Sequence, residues 1–466
     1  MRVLKQRSVA YNYACAVALG SGGFYFGYYD GIYNPMFRPM MIGVYGYDEN
    51  KDKTKLDDIN GLVNMLFSIG AMIGVLSTGF LADRFGRRTI LYAGEFIALV
   101  TMVLYRIISI EVLMTTRVIS GMVAGINSSI YAVMIAEMLP NSMVGFGNGF
   151  AYLLLTFALL LSYLSQNIFE YQTLVDNWVA VFVWPAIVSI ARLISFPIFI
   201  KSDTPRYMYT QCADKEAAVA MIKDAYVCVY VDVDAEKAAR EAVEYFEKER
   251  SEGEIGVMVL FGPRFRKRML SGCFITFAQQ ISGINFLVYY STRLFDEIGG
   301  YGQTITLVVG LCNFLGSICA IYLISKMGRK FNLVVGPMFQ AIGMVGLYFG
   351  YLRKELWILV VSVIVYMIPY AIGLGGTLTA YVGEILPPLG VGLAFSVQWL
   401  MTAIVGQFMP RLITDLGPGI LIIFFAIVCF IIVFIMDYLT IETKGKSESE
   451  IANEFINKKY KFMDLK

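Results

Sequence analysis

Twelve runs of roughly 20 apolar residues, separated by short charged gaps, limit this chain more than any other feature. Their approximate bounds are 9–34, 59–82, 89–108, 112–134, 144–168, 178–200, 269–295, 303–326, 331–351, 356–383, 390–414 and 417–439. A run of that length matches the hydrocarbon thickness of a bilayer when it is helical. In lipid, only a helix or a closed barrel satisfies every backbone donor and acceptor. The chain is 57% hydrophobic and 16% charged, with a mean hydropathy of +0.63. Soluble proteins carry about a quarter charged residues. The reading is an all-α membrane protein of twelve transmembrane helices in two halves of six. The widest polar gap sets the boundaries: residues 1–200 form one bundle, 201–268 a cytoplasmic linker with short helices, 269–440 the second bundle and 441–466 a cytoplasmic tail. Charge pairs such as those in Glu236-Lys237-Ala238-Ala239-Arg240-Glu241 support helix within the linker.

Basic residues give the orientation. Arg2, Lys5 and Arg7 precede the first span, Arg84, Arg87 and Arg88 follow the second, and the linker and tail are rich in Lys and Arg. All fall on one side of a twelve-span count, so both termini are expected to be cytoplasmic. No cleavable signal peptide is evident. The expectation is an integral, multi-pass protein of the plasma membrane, with an organellar membrane as the alternative.

Several function classes drop out. A net charge of +2, dispersed along the chain, gives no footing for nucleic acid. The seven cysteines include no CxxC pair, so neither a disulfide framework nor a zinc site is indicated. Histidine is absent, which excludes imidazole metal sites and bases. The sequon Asn127-Ser128-Ser129 lies inside a span. With no phosphate-binding loop, metal cluster or activated nucleophile, the expectation is a non-enzyme without a cofactor. Its partners are a small solute and the lipid bilayer, and it acts as a monomer unless it is a subunit of a larger membrane assembly.

The two halves echo each other. Ala82-Asp83-Arg84-Phe85-Gly86-Arg87-Arg88 follows span two, and Lys326-Met327-Gly328-Arg329-Lys330 follows span eight. Ala136-Glu137-Met138-Leu139-Pro140 ends span four, and Gly383-Glu384-Ile385-Leu386-Pro387 ends span ten. Such repeats are typical of transporters. The loop arginines are expected to pair with Glu137 and Glu384 as latches on the cytoplasmic side, strengthened by the low dielectric there. The alternative is a set of interfacial charges that only fixes topology.

The densest chemistry lies in Gln279-Gln280-Ile281-Ser282-Gly283-Ile284-Asn285-Phe286-Leu287-Val288-Tyr289-Tyr290. Amides are costly in a membrane helix unless they face partners or water. They also offer the paired donors and acceptors that a neutral polyhydroxylated solute needs, and rings stack on sugar faces. The bland reading is helix-to-helix glue.

This segment, the Gly79-Phe80-Leu81-Ala82-Asp83-Arg84-Phe85-Gly86-Arg87-Arg88 loop, Arg117-Val118-Ile119-Ser120-Gly121, Ser202-Asp203-Thr204-Pro205-Arg206 and Ile441-Glu442-Thr443-Lys444-Gly445 together resemble the sugar porters of the major facilitator superfamily. The resemblance implies a fold of two six-helix bundles around a central cavity, and transport of a monosaccharide, a hexose such as glucose, by alternating access. It implies substrate contacts from Gln279, Gln280, Asn285, Asn313, Gln398 and Trp399. It implies an external gate of Tyr289 and Tyr290, and a cytoplasmic latch of Asp83, Arg84, Arg117, Glu137, Arg329 and Glu384. Other positions depart from the family pattern. Thr379 stands where span ten usually carries tryptophan, Tyr152 replaces a span-five glutamine, Val144 replaces an arginine and Met134 a tyrosine.

Coupling is read from span one, Phe26-Gly27-Tyr28-Tyr29-Asp30. Proton-coupled members carry the acid where Tyr29 stands, and Asp30 is turned about 100° away on a helix. Facilitated diffusion is therefore favoured, with proton symport through Asp30 as the alternative. A second alternative is a non-transporting structural subunit or sensor of the same fold. Glu95 and Arg192 are expected on the cytoplasmic side with the latch, and Arg106 is expected to snorkel.

Overall fold

The structure, a computed structural model, describes residues 9–49, 51–139, 141–168, 178–212, 214–227, 235–252, 257–446 and 448–458. Arg2, Lys5 and Arg7 lie outside the described residues. Helices and turns make up the described residues, with no strand among them. Nine described helices are long and apolar enough to cross a membrane. They match nine of the twelve expected runs, from Lys53–Phe85 to Pro418–Leu439. The other three are helical too. Span three is Arg87–Leu104, which holds Arg87, Arg88 and Glu95 within its 18 residues. Span one is interrupted, as Val9–Gly20, Gly23–Gly31 and Tyr33–Gly43, and span seven is Arg266–Ile281 followed by Ile284–Gly299.

The breaks have local causes. Span one parts at Gly20-Ser21-Gly22-Gly23, where four residues of low helix propensity fall together. Span seven parts at Gly283, whose φ of +97° is left-handed. A side chain there is strained by its backbone, and a Cβ would lie 2.8 Å from Met344 Cε and 2.9 Å from Phe425 Cγ. Span ten stays continuous but opens into a π-helical turn over Ala371–Thr377, where Gly373, Gly375 and Gly376 cluster. Broken and π-helical stretches within spans recur at binding sites.

The chain divides into two compact units. The first comprises Met1–Tyr29, Gly70–Ala158 and Val179–Glu254. Its helices touch backbone to backbone through small residues: a Cβ on Gly74 would meet the Met122 carbonyl at 2.5 Å. Lipid provides no hydrophobic drive between helices, so such close approach supplies the dispersion contacts instead. Leu19, Leu91, Ile126, Ile130, Met134 and Phe196 form its core. The linker helices Pro205–Gln211, Lys215–Val227 and Ala235–Glu252 share a small core of their own around Met208, Ile222 and Val243.

The second unit comprises Asp30–Ile69, Leu159–Trp178 and Ile255–Lys466. Its core runs through Ile275, Phe286, Leu287, Leu294, Val363 and Phe425. Pro418–Leu439 shows how the fold meets lipid. Ile420, Phe424, Ile427, Phe430 and Phe434 are exposed at helical spacing, while Leu421, Phe425, Cys429, Ile432 and Met436 are buried. An apolar stripe exposed on that scale belongs against hydrocarbon.

Candidate functional site

The amides of span seven form one hydrogen-bonded chain across the Gly283 break. Asn285 Nδ2 donates to Gln280 Oε1 at 2.6 Å, and Gln280 Nε2 donates to Gln279 Oε1 at 3.0 Å. Gln279 Nε2 then donates to the Leu374 carbonyl at 2.8 Å and the Tyr370 hydroxyl at 3.3 Å. All three amides are buried. The break is what allows this. Gln280 and Asn285 lie five residues apart, which on an unbroken helix separates them by about 140°. The altered span ten also contributes. The π-helical turn holds Leu374, whose carbonyl accepts from Gln279. Tyr366 and Tyr370 stack at 6.4 Å, and the Tyr366 hydroxyl donates to the Ser282 carbonyl at 3.1 Å. Thr379, at the tryptophan position, is exposed.

Asn313, Gln398 and Trp399 are buried in the same unit. Asn313 Oδ1 and Gln398 Oε1 have no hydrogen-bond partner among the described residues. Trp399 meets Phe67 edge-on at 6.3 Å. The unit therefore holds two hydrogen-bonded glutamines and an asparagine, two amide oxygens without a hydrogen-bond partner among the described residues, and the rings of Tyr366, Tyr370 and Trp399. Each amide carries two donors and two acceptor lone pairs, so the internal chain leaves capacity for a ligand.

Tyr289 and Tyr290 follow on Ile284–Gly299, edge to face at 6.0 Å. Tyr289 donates to Asp30 Oδ1 at 2.6 Å and Tyr290 to the Gly406 carbonyl at 2.6 Å. Asn64 Nδ2 donates to the Tyr290 hydroxyl at 3.0 Å. Asn34 Nδ2 reaches the Val288 carbonyl at 2.8 Å. Beyond them, Arg293 forks onto Asp57 and Arg411 onto Asp58. Sequence reasoning passed over Asn34, Asp57, Asn64 and Arg293. The available signal was an arginine inside an apolar run facing a doublet of acids at the start of another.

The expected latch needs correcting in two members. In the first unit Arg87, not Arg84, makes the pairs: its Nη1 lies 2.7 Å from Asp83 and its Nε 3.4 Å from Glu137. Arg84 instead lies over the Phe85 ring at 5.3 Å. The turn at Gly86 separates the two arginines and points Arg87 back along the Asp83 face. Arg117 shares the Ile110–Met138 helix with Glu137, and twenty residues of helix put them about 30 Å apart. Arg117 donates to the Tyr29 carbonyl at 3.0 Å and belongs to the other end. In the second unit Arg329 Nη2 meets Glu384 at 2.8 Å.

Each of these ion-pair clusters has a cap that the sequence repeat did not disclose. Asp203 accepts from the backbone N–H groups of Arg87 and Arg88, both at 3.1 Å. Glu442 accepts from those of Arg329 at 2.8 Å and Lys330 at 3.2 Å. A carboxylate on the orphan N–H groups of a helix start is favourable for hydrogen bonding and for the macrodipole. Any Cβ at Gly86 would collide with Asp203, and any at Gly328 with Glu442, which explains the glycine in both echoes.

Glu95 and Arg192 do not join the latch. They pair with each other at 2.6 Å, both fully buried. The Tyr25 hydroxyl donates to Glu95 and sits 2.6 Å from Ser189 Oγ, and Arg192 Nη1 donates to Asn127 Oδ1 at 2.7 Å. Burial explains the choice of partner, since neither charge is stable alone in lipid. Arg106 is exposed. Among the described residues no three His, Cys, Asp or Glu side chains are grouped to hold a metal.

Comparisons with known proteins agree with this architecture. The profile of the family described as Sugar (and other) transporter matches residues 14–455. Solute carrier family 2, facilitated glucose transporter member 5 of Ovis aries is 29% identical over 411 residues, covering 84% of this chain and 80% of that protein. The arabinose-proton symporter of Bacillus subtilis is 24% identical over 471 residues, covering 97% of each. Among solved structures, the proton:xylose symporter XylE bound to 6-bromo-6-deoxy-D-glucose superposes with a TM-score of 0.78 at 21% identity, covering 96% of this chain and 100% of that one. An inward open form of the xylose transporter XylE from E. coli gives 0.76 at 20% identity, covering 95% and 99%. The broken first and seventh spans, the paired loop motifs and the match along nearly the whole length have one conclusion: this chain is an integral membrane carrier of the sugar porter family, in the major facilitator superfamily.

Proposed function

We propose that this protein moves a monosaccharide, a hexose such as glucose, across its membrane by facilitated diffusion. Gln279, Gln280, Asn285, Asn313 and Gln398 take the hydroxyls, Trp399 contributes an apolar face, and Tyr289 and Tyr290 close the site toward the outside. The supporting observation is the Asn285–Gln280–Gln279 amide chain, hydrogen-bonded end to end at a helix break. A polyol exchanges such bonds for its own without stranding a buried group, whereas an organic anion needs a cation that this segment lacks. Asn313 Oδ1 and Gln398 Oε1 suit hydroxyl donors, since a buried amide oxygen without a partner carries a desolvation penalty of about 1–3 kcal/mol.

Span one supports transport without coupling. Tyr29 stands where an acid is needed, Arg117 is engaged by the Tyr29 carbonyl, and Asp30 holds the Tyr289 hydroxyl. Asp30 then serves the gate rather than a proton. The latch residues Asp83, Arg87, Glu137, Arg329 and Glu384 act on the cytoplasmic side, and both termini lie there, as the distribution of Lys and Arg supports.

Uptake of labelled glucose into proteoliposomes, with and without an inward proton gradient, tests this. Equilibrative uptake that ignores the gradient is expected, in the native chain and in Asp30→Asn. Accumulation driven by the gradient and lost in Asp30→Asn would replace facilitated diffusion with symport. No uptake across a panel of hexoses, pentoses and polyols would overturn the transport reading.

A further inference from the structure

The gate tyrosines sit on a rod whose regular helix is interrupted by a left-handed glycine at each end. Ile284–Gly299 starts at Gly283 and ends at Gly300, both left-handed. Helical hydrogen bonds therefore do not carry its tilt to the preceding or following helix, and side chains must hold it. Its polar ties include hydrogen bonds in which Tyr289 donates to Asp30 and Tyr290 to the Gly406 carbonyl, the Val288 carbonyl accepts from Asn34 and Tyr163, and Ser291 and Thr292 meet Thr306. One is of a different kind.

Three residues beyond Tyr290, Arg293 is buried and meets buried Asp57 with both guanidinium nitrogens, Nη1 on Oδ1 and Nη2 on Oδ2 at 3.2 Å. Thr414 closes a triangle. Its hydroxyl donates to Asp57 Oδ2 at 2.6 Å and accepts from Arg293 Nη2 at 2.6 Å. At the exposed rim, Asp58 takes Arg411 Nε and Nη2 at 2.5 and 2.7 Å. Both acids start Lys53–Phe85, and Thr414 and Arg411 end Pro388–Leu416. A buried ion pair adds little net stability, because desolvation offsets attraction. Its bidentate geometry does set a position and an orientation, which a lone hydroxyl bond does not.

We propose that Asp57 and Thr414, by clamping Arg293, are positioning residues of the transport cycle: they fix the Ile284–Gly299 half-helix with its gate closed, and the clamp releases before the gate opens. The inference rests on the reading of Tyr289 and Tyr290 as the external gate.

Hydrogen–deuterium exchange of the full chain reads the rod directly, without needing transport. In Asp57→Asn, amides of 284–299 are expected to exchange about tenfold faster, with a smaller rise in Thr414→Val, while 329–353 keeps its native rate. The transposed pair Asp57→Arg with Arg293→Asp is expected to restore protection. In proteoliposomes, Asp57→Asn is expected to lower the external KM relative to the internal KM, because the outward-facing form gains population. Native exchange over 284–299 in a folded Asp57→Asn protein would overturn the proposal, as would a rise shared equally by 329–353. Should Asp57→Asn not fold, Thr414→Val decides alone by the same two readings. A native chain that takes up no sugar, yet shows the expected exchange pattern, would sink the transport reading and leave the clamp standing.

Discussion

Gln280→Ala is the perturbation that most directly tests the amide chain. Gln280 is its middle link, giving a hydrogen bond to Gln279 Oε1 at 3.0 Å and taking one from Asn285 at 2.6 Å. In the empty protein, alanine removes both. That leaves Gln279 Oε1 and Asn285 Nδ2 buried without their partner, at about 1–3 kcal/mol each, so folding stability is expected to fall by about 2–6 kcal/mol. In the loaded protein, the sugar loses one donor and one acceptor of the same kind. Two such bonds amount to about 2 kcal/mol of binding, or roughly a 30-fold rise in KM. Radiolabelled glucose uptake into proteoliposomes gives KM and Vmax, and a thermal melt of the same preparation shows whether the protein is folded. A folded Gln280→Ala protein with native KM, on a sugar that the native chain carries, would refute the reasoning. The chain of amides would then be adhesive between helices and nothing more.

Other outcomes follow from the same geometry. Gly283→Ala places a side chain at φ +97° and 2.8–2.9 Å from Met344 and Phe425, and is expected to destabilise by about 1–3 kcal/mol. Gly46→Ala, at φ +74° with open space around it, should show only the smaller backbone part, and the two melts compare directly. Glu95→Leu strands buried Arg192 and is expected to destabilise by about 3–5 kcal/mol. Adding Arg192→Met should recover much of that loss, as the yield of folded protein would show. The C-terminal helix Glu448–Asn457 gives a pH dependence. Partial burial, with Lys330 nearby, lowers the Lys458 ammonium to about 8. The released tail therefore binds more protons than the seated one above that pH, so seating should tighten as pH rises from about 8 toward 10.5. Proteolysis of the tail should slow over that window in the native chain and not in Lys458→Gln.

How far the site was legible in the sequence can be judged residue by residue. Gln279, Gln280 and Asn285 stand out because amides are rare in apolar runs, and the structure joins them. The Gly283 between them does not disclose its left-handed backbone, since glycine is common in membrane helices for packing alone. The repeated Gly-Arg-basic loops pointed to Glu137 and Glu384, yet the choice of Arg87 over Arg84 depended on how the chain turns at Gly86. Asp203 and Glu442 looked like parts of separate motifs, each more than 100 residues from the helix it caps.

Membrane spans are determined locally. Bilayer thickness and the need to satisfy the backbone act on each stretch of about 20 residues by itself, so the order of helices and the all-α class were determined by sequence alone. Charge pairing is not local. Glu95 took Arg192 and Asp57 took Arg293 because a buried charge accepts whichever partner the fold brings within reach. The tertiary structure also decided that a span ten without its usual tryptophan would turn as a π helix, with the Leu374 carbonyl accepting from Gln279. Its three clustered glycines allow that turn but do not require it.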